Sequence, residues 1–293
     1  MAGNRDPAVI FTLPAPAKLN LFLHITGRRS DGYHELQTLF QFLEHGDDLT
    51  FEPMEGTGEI ILEPALPDVP NEANLIVRAA RLLQQETDQP LRSVRITLTK
   101  RLPMGGGVGG GSSDAATALL GLNHLWQLHL SIDRLAELGL QLGADVPVFV
   151  RGFAAFAEGV GEVLTPVHPP EDWFVVLKPD CDINTGLIFS QEGLTRDTPR
   201  ITIAPAFEGD ASRYRNDCED IVLKLYPEVR KSQEWLSQFG PARLTGTGAC
   251  IFGRFPTESK ALEVWASKPS GINGFVTRGV NRSPLHTKLT ELE

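Results

Sequence analysis

Residues 105–111 read Gly105-Gly106-Gly107-Val108-Gly109-Gly110-Gly111, six glycines in seven positions, and run directly into Ser112-Ser113. Glycine loses more backbone freedom on folding than any other residue, so such a run is kept where the chain must approach something closely or adopt positive φ. Before it, Val94-Arg95-Ile96-Thr97-Leu98 alternates as a strand and leads into Lys100-Arg101-Leu102-Pro103. After it, Leu119, Leu122 and Trp126 keep one apolar stripe of a helix. Strand, glycine loop and helix in that order aim backbone N–H groups and the positive end of a helix dipole at an anion, and phosphate is the natural candidate. A flexible surface loop is the alternative, and the regular segments on both sides speak against it.

The chain has 293 residues, enough for about two domains of roughly 150 residues each. Its 41% hydrophobic and 22% charged residues are those of an ordinary folded globular protein rather than a fibrous or disordered chain. A net charge of −10 opposes broad attraction to nucleic-acid backbones, so no nucleic-acid partner is expected. Cys181, Cys218 and Cys250 show no C-x-x-C spacing, which argues against a disulfide framework or zinc knuckle and for reduced thiols in cytoplasm. Met1 to Ile10 lacks the apolar core of a leader, and no run reaches roughly 18 apolar residues, so no membrane association is expected.

Lys18 to Ile25 alternates, with Leu19, Leu21, Leu23 and Ile25 on one face and Lys18, Asn20, Phe22 and His24 on the other. Ser30-Asp31-Gly32 supplies a turn, and Glu35 to Phe42 alternates again, which completes a hairpin. Asn74 to Gln85 has helical spacing. Ile132 to Leu142 is a helix capped by Ser131 and stopped by Gly143, with Asp145 just past its end. After about residue 163 the pattern changes. Trp173 to Leu177 reads as a strand, and Asn216 with Glu219 as an N-cap and its capping-box partner before a helix interrupted near Pro227. Ala242-Arg243-Leu244 and Ala249-Cys250-Ile251-Phe252 flank Thr245-Gly246-Thr247-Gly248 as a hairpin; Thr257 opens a helix through Trp265, and Gly274-Phe275-Val276 closes as a strand. That is the β-α-β-β-α-β order of ferredoxin-like domains.

Gly105-x-Gly107-x-x-Gly110 formally matches a dinucleotide fingerprint, which needs an acidic residue about 20 positions on, at the end of a second strand. Asp133 has the spacing but opens a helix. A G-x-x-x-x-G-K-[ST] motif is absent, which excludes an ordinary P-loop.

The segment Pro103-Met104-Gly105-Gly106-Gly107-Val108-Gly109-Gly110-Gly111-Ser112-Ser113 resembles the phosphate loop of the GHMP kinases. Pro16-Ala17-Lys18-Leu19-Asn20-Leu21, Asp31-Gly32-Tyr33-His34, Gly143-Ala144-Asp145-Val146-Pro147 and Leu244-Thr245-Gly246-Thr247-Gly248 match, in order, the branch whose acceptor is a cytidine-diphosphate-linked methylerythritol. The resemblance extends from about residue 14 to about 286. Asp114 departs from it, standing where relatives often carry Asn, and adds a negative charge near the phosphates.

The resemblance implies an α/β (α+β) protein of two domains: an S5-like domain over 1–163 and a ferredoxin-like domain over 164–293, with the packing of the last residues on the first domain left undetermined. The active site would lie in the cleft between them. ATP with Mg²⁺ would be the phosphoryl donor, cradled by Pro103, Met104, Gly105, Gly106, Gly107, Val108, Gly109, Gly110, Gly111, Ser112 and Ser113, with Asn74 and Lys100 at the adenosine. Phosphoryl transfer needs positioning, charge stabilisation and a group for the acceptor proton. By resemblance Asp145 is that base and Lys18 its supporting cation. Asn20, Tyr33, His34, Thr185, Phe189, Thr245, Gly246, Thr247 and Gly248 would hold the acceptor, Tyr33, His34 and Phe189 gripping the cytosine. The product would be the 2-phosphate, with ADP, in non-mevalonate isoprenoid precursor synthesis.

Local sequence also offers plain readings of the same residues: Asp145 as an Asx-turn or helix C-terminal aspartate, Lys18 and Lys100 as solvated lysines, Tyr33 and His34 as ordinary hairpin residues, 245–248 as a hairpin loop. No acidic residue has diagnostic metal spacing, so the Mg²⁺ ligands are left unassigned, as is the oligomeric state. Two rival functions are an oxidoreductase using 105–110 for NAD and a nucleotide-sensing binding module without turnover.

Overall fold

A computed structural model describes residues 9–66, 69–202 and 215–292. Most of the N-terminal stretch read for a leader lies outside the described residues. Strands β1 (Phe11–Arg28) and β2 (His34–Thr57) form one long antiparallel ladder from Phe11↔Phe51 to Arg28↔His34. In the turn between them, Tyr33 N donates to Asp31 Oδ1 at 3.1 Å. The simple alternation expected along β1 is broken, because the register shifts between Asn20 and Leu23. Phe22, expected on the face of Lys18 and Asn20, therefore packs with Leu19 and Leu21.

Strand β3 (Ile60–Glu63) and β4 (Arg92–Thr99) continue the sheet beyond β2, and α1 (Leu75–Gln84) lies between them in sequence. After the glycine loop come α2 (Gly110–Leu125), α3 (Ile132–Leu142) and α4 (Val146–Arg151). Ser131 Oγ accepts from Arg134 N at 3.2 Å and Gly143 ends α3, as the spacing predicts. These helices bury Leu119, Leu122, Leu135 and Val148 against Leu13, Phe42 and Phe51 of the sheet. At about 1.5–3 kcal/mol for each large side chain taken from water, this core is ample to hold the loop's two ends. The hairpin of β5 (Ala155–Glu158) and β6 (Val163–Pro166) then pairs with β2, so the division expected at 163/164 falls inside β6.

The second half contains β7 (Trp173–Lys178), α5 (Thr185–Ser190), α6 (Glu219–Leu225), α7 (Pro227–Leu236), β8 (Ala242–Leu244), β9 (Ile251–Phe255), α8 (Glu258–Ala266) and β10 (Asn273–Val280). Its strands lie in the order β10-β7-β9-β8, all antiparallel, which is the ferredoxin-like arrangement. The capping box expected at Asn216 and Glu219 does not form. Asn216 Oδ1 accepts from Cys218 N, its Nδ2 donates to Leu244 O at 3.0 Å and Gly246 O at 2.7 Å, and Glu219 accepts from Leu244 N at 2.7 Å. Both side chains serve buried backbone groups of the β8–β9 hairpin, which would otherwise lack partners.

The halves share structure. Strand β10 pairs with β2 at Gly279↔Leu43 and Val280↔Phe42, and Leu19, Phe22 and Leu39 of the first half pack with Phe174, Val176 and Phe252 of the second. Helix α9 (Pro284–Thr290) returns to β1 and buries Leu285 in the first core. Among the described residues no helix is long and apolar enough to cross a membrane.

Candidate active site

The glycine loop is stitched to both halves through its carbonyls. Gly105 O and Gly106 O accept from Ala249 N at 3.2 Å and Cys250 N at 3.0 Å, while Val108 O accepts from Lys18 N at 2.9 Å. With those carbonyls engaged, the amides of the loop and of the first turn of α2 are the groups left to meet an anion. At two positions of the loop a positive φ and a clash under 3 Å together require glycine. Gly107 has φ 73° and a Cβ there would lie 2.4 Å from Thr245 O; Gly109 has φ 77° and a Cβ there would lie 2.8 Å from Phe149 Cζ. Gly110 is already helical, and a Cβ on it would meet Lys100 Nζ at 3.3 Å.

Lys18 is buried at the centre of the cleft. Its Nζ donates to Asn20 Oδ1 at 2.6 Å and Gly107 O at 3.0 Å, and stands 3.2 Å from Asp145 Oδ2. Asn20 is oriented in turn by Thr38 Oγ1, which accepts from Asn20 Nδ2, and Asn20 N donates to Thr245 Oγ1, both at 2.9 Å. The lysine is therefore anchored, not a solvated strand-edge cation. Asp145 occupies the N-cap position of α4, yet its side chain makes no cap bond. Pro147 follows at the second helical position and has no N–H, so one of the two usual capping targets is missing and the carboxylate reaches Lys18 instead.

A cavity of about 750 Å³ is lined by Lys18, Asn20, Tyr33, His34, Asp145, Thr185, Phe189, Gly246 and Thr247. A second, of about 360 Å³, lies along Pro103 to Ser112 with Asn74, Lys100 and Asp114. The two share Gly107, Gly109 and Ser112. Thr245 and Gly248 stand one layer back, behind the loop: Thr245 Oγ1 donates to Gly107 O at 3.4 Å, and Gly248 O would meet a Cβ on Gly107 at 2.9 Å. Ser113 is wholly buried in α2.

Asn74 caps α1, its Oδ1 accepting from Ile76 N at 2.9 Å. Lys100 Nζ is held between Asp47 Oδ2 at 2.6 Å and Asp114 Oδ2 at 2.7 Å. Asp114 thus does not confront the phosphate loop as a bare charge. Burial pushes its carboxyl up to about 7, against the pull of Lys100. Asp47, which sequence reasoning missed, also accepts from Arg101 N at 2.6 Å and Leu102 N at 2.7 Å and so holds the strand end that enters the loop.

At the far end of the larger cavity, His34 and Phe189 stack on one another, with centroids 4.8 Å apart and planes at 24°. Tyr33 is 64% exposed. The three-ring grip expected from sequence is a His34–Phe189 pair with Tyr33 open beside it. Thr185 Oγ1 and Thr247 Oγ1 are 2.9 Å apart and tie α5 to the β8–β9 turn. Asp133, the dinucleotide candidate, is 78% exposed, lies in the first turn of α3 and pairs with Arg151 at 2.9 Å, away from both cavities.

Residues 74–153 match the family model described as GHMP kinases N terminal domain, and 203–267 match GHMP kinases C terminal. The crystal structure of a homoserine kinase from Cytophaga hutchinsonii superposes with a TM-score of 0.68 at 13% identity, over 97% of this chain and 98% of that one, a likeness of fold alone. Fold and glycine-loop site together define the GHMP class of small-molecule kinases. The chain is 71% identical over 282 residues to a 4-diphosphocytidyl-2-C-methyl-D-erythritol kinase of Marinobacter nauticus, covering 96% of this chain and 98% of that protein. To one of Pseudomonas aeruginosa it is 58% identical over 285 residues, covering 97% and 99%. A crystal structure of 4-(cytidine 5'-diphospho)-2C-methyl-D-erythritol kinase matches with a TM-score of 0.80 at 33% identity, over 92% and 99% of the two chains. The chain belongs to the 4-diphosphocytidyl-2-C-methyl-D-erythritol kinase family and is an ATP-dependent kinase.

Proposed function

We propose that this chain transfers the γ-phosphoryl group of ATP to the 2-hydroxyl of 4-diphosphocytidyl-2-C-methyl-D-erythritol, giving the 2-phosphate and ADP in non-mevalonate isoprenoid precursor synthesis. One observation carries the mechanism: the two cavities meet at Gly107, Gly109 and Ser112, and the Lys18–Asp145 pair stands beside that junction. ATP occupies the smaller cavity with its phosphates on the loop amides and its adenosine toward Asn74 and Lys100. The acceptor occupies the larger one, its base at Tyr33, His34 and Phe189 and its phosphates along Thr185, Gly246 and Thr247.

In this reading Asp145 accepts the proton of the attacking hydroxyl. The hydroxyl oxygen bonds to the γ-phosphorus as the bond to the β-phosphate's bridging oxygen breaks, and ADP leaves with that electron pair. Such a transition state is loose, so most of the acceleration comes from positioning and from charge placed where charge develops. Lys18 supplies that charge, and Asn20 and Gly107 O keep it from moving. Mg²⁺ comes with ATP as part of the substrate. Among the described residues no group of three or more His, Cys, Asp or Glu is placed to hold a metal, and no residue of this chain is assigned to the ion.

Asp133, the acidic residue the dinucleotide reading relies on, lines neither cavity, and a pure sensing module has no use for an anchored lysine–carboxylate pair at the junction. A cytoplasmic place of work accords with the Cys218 and Cys250 thiols, which burial pushes up to about 12 and so keeps unreactive. The test is ADP release measured against a panel of acceptors, with an ATP-against-NADH binding titration. ADP release dependent on the cytidyl acceptor supports the proposal; binding of NADH in preference to ATP, or ATP binding without turnover, overturns it.

A further inference from the structure

Arg196 follows α5 and belongs to none of the motifs above. Its guanidinium donates from Nε to His34 Nε2 at 3.1 Å, from Nη1 to Leu194 O at 3.1 Å, and from Nη2 to Phe189 O at 2.9 Å and Gln191 O at 2.7 Å. A guanidinium is a donor only and keeps its charge, so His34 Nε2 must offer a lone pair. The proton of the His34 ring is therefore on Nδ1. The same fork holds the carbonyl of Phe189, at the unpaired C-terminal end of α5, and the ring of Phe189 is the one stacked on His34. One side chain thus sets both the tautomer of a cavity-lining ring and the seat of its stacking partner.

We infer that Arg196 is a positioning residue for nucleobase recognition, holding His34 as a neutral Nδ1–H donor against Phe189 so that the pair selects a pyrimidine presenting acceptor atoms in its ring plane. The inference rests on the larger cavity being the acceptor site. Cytosine offers N3 and O2 as such acceptors. An imidazole released from Arg196 is free to carry its proton on Nε2, which turns an Nδ1 lone pair toward those atoms and repels them. The charged groups around His34 are Arg196, Arg28 across the β1–β2 ladder, Asp31 in the turn, engaged by Arg29 at 3.2 Å, and Glu35, paired with Arg200. Burial first, then Arg196 and Arg28, hold His34 below the ordinary imidazole value of 6.5, so the wild-type ring stays neutral at and above that pH.

Full-length protein labelled with ¹⁵N-histidine reports the tautomer, and steady-state kinetics with the cytidyl acceptor report its consequence. Wild-type His34 is expected to give the Nδ1-protonated pattern and Arg196→Gln the Nε2-protonated one. At pH 8 the variant's acceptor KM should rise about three- to tenfold, the worth of one neutral hydrogen bond, with ATP Kd within about twofold of wild type. Once the pH is low enough for His34 of the variant to take a second proton, Nδ1–H is restored and KM returns toward wild type. A looser α5 by itself gives a penalty that is flat with pH, and that result overturns the positioning role. Arg196→Lys, which keeps a cation without the fork, should show the same pH trend at smaller size. Retention of Nδ1–H by His34 in Arg196→Gln overturns the inference. A changed tautomer with unchanged acceptor KM supports the Arg196–His34 coupling and overturns instead the assignment of this cavity to the acceptor.

Discussion

Lys18 Nζ lies 3.2 Å from Asp145 Oδ2, joining the middle of β1 to the residue that opens α4. The ammonium is almost wholly buried and the carboxylate is about one-third exposed (3% and 35%), so the pair presents its acidic member to the cavity and keeps its basic member behind it. A base that must meet a hydroxyl has to be reachable, whereas a cation that stabilises developing charge works better in a drier setting.

Asp145→Asn keeps the size of the side chain and most of its hydrogen bonding but removes the proposed base. We expect kcat to fall by about 10²–10⁴-fold while ATP Kd and acceptor KM stay within about threefold. Lys18→Met should lower kcat as well, and the double variant should lose less than the product of the two singles, because the groups act as a unit. A kcat for Asp145→Asn within about threefold of wild type would leave phosphoryl transfer resting on positioning alone.

Gly107→Ala forces a Cβ to within 2.4 Å of Thr245 O at a φ of 73°, so the loop must leave its seat on the β8–β9 turn. ATP affinity should drop at least tenfold, a step of about 1.4 kcal/mol, in a protein whose circular dichroism is unchanged. Affinity retained within about threefold would remove the loop from the phosphate site.

Phe189→Ala removes the stacking surface under His34. Its acceptor KM should rise by the equivalent of roughly 1–3 kcal/mol, by analogy with base stacking on aromatic side chains, with ATP binding unaffected. Tyr33→Ala should have a smaller effect on acceptor KM, since Tyr33 is the more exposed ring. A weakened ATP Kd with normal acceptor KM would reverse the assignment of the cavities.

Asn216→Ala strips donors from Leu244 O and Gly246 O, both in buried surroundings. Unsatisfied buried groups cost about 1–3 kcal/mol each, so the urea midpoint should fall clearly, and acceptor KM should rise as the 245–248 turn loosens. A variant with wild-type stability would show that these bonds are replaced by water.

Asp114→Asn tests the buried carboxyl. Its value is raised from 3.8 to about 7, so the folded state takes up the proton, and the stability linked to it is present below pH 3.8 and lost as pH rises through 7. The asparagine variant carries no such dependence. Relative to wild type it should gain on the order of 1 kcal/mol between pH 5.5 and 8, a few degrees of melting temperature, after allowing for the Lys100 contact it weakens. A melting difference that is the same at both pH values would mean that Asp114 does not titrate in this range.

Local chemistry made part of this molecule legible before any tertiary contact. Ser131 and Gly143 bound α3 because caps act within one turn of chain. The glycine run marks a loop of special backbone conformation because Gly107 and Gly109 take positive φ. The strand and helix order from β7 to β10 is likewise written in short-range periodicity. Other features waited on docking. Phe22 changes face because the ladder with β2 shifts register after Asn20. Asn216 leaves its helix to serve the β8–β9 turn, Asp47 reaches Lys100 and the entry to the loop, and Arg196 takes the lone pair of His34. Each of these is a buried polar group that must find a partner, and several partners are compatible with its local sequence. Short-range periodicity and turn chemistry are enough to mark the segments that fold, whereas the side chains that meet at the loop emerge with docking, because hydrogen-bond partners are chosen only when packing removes water and fixes the distances between elements.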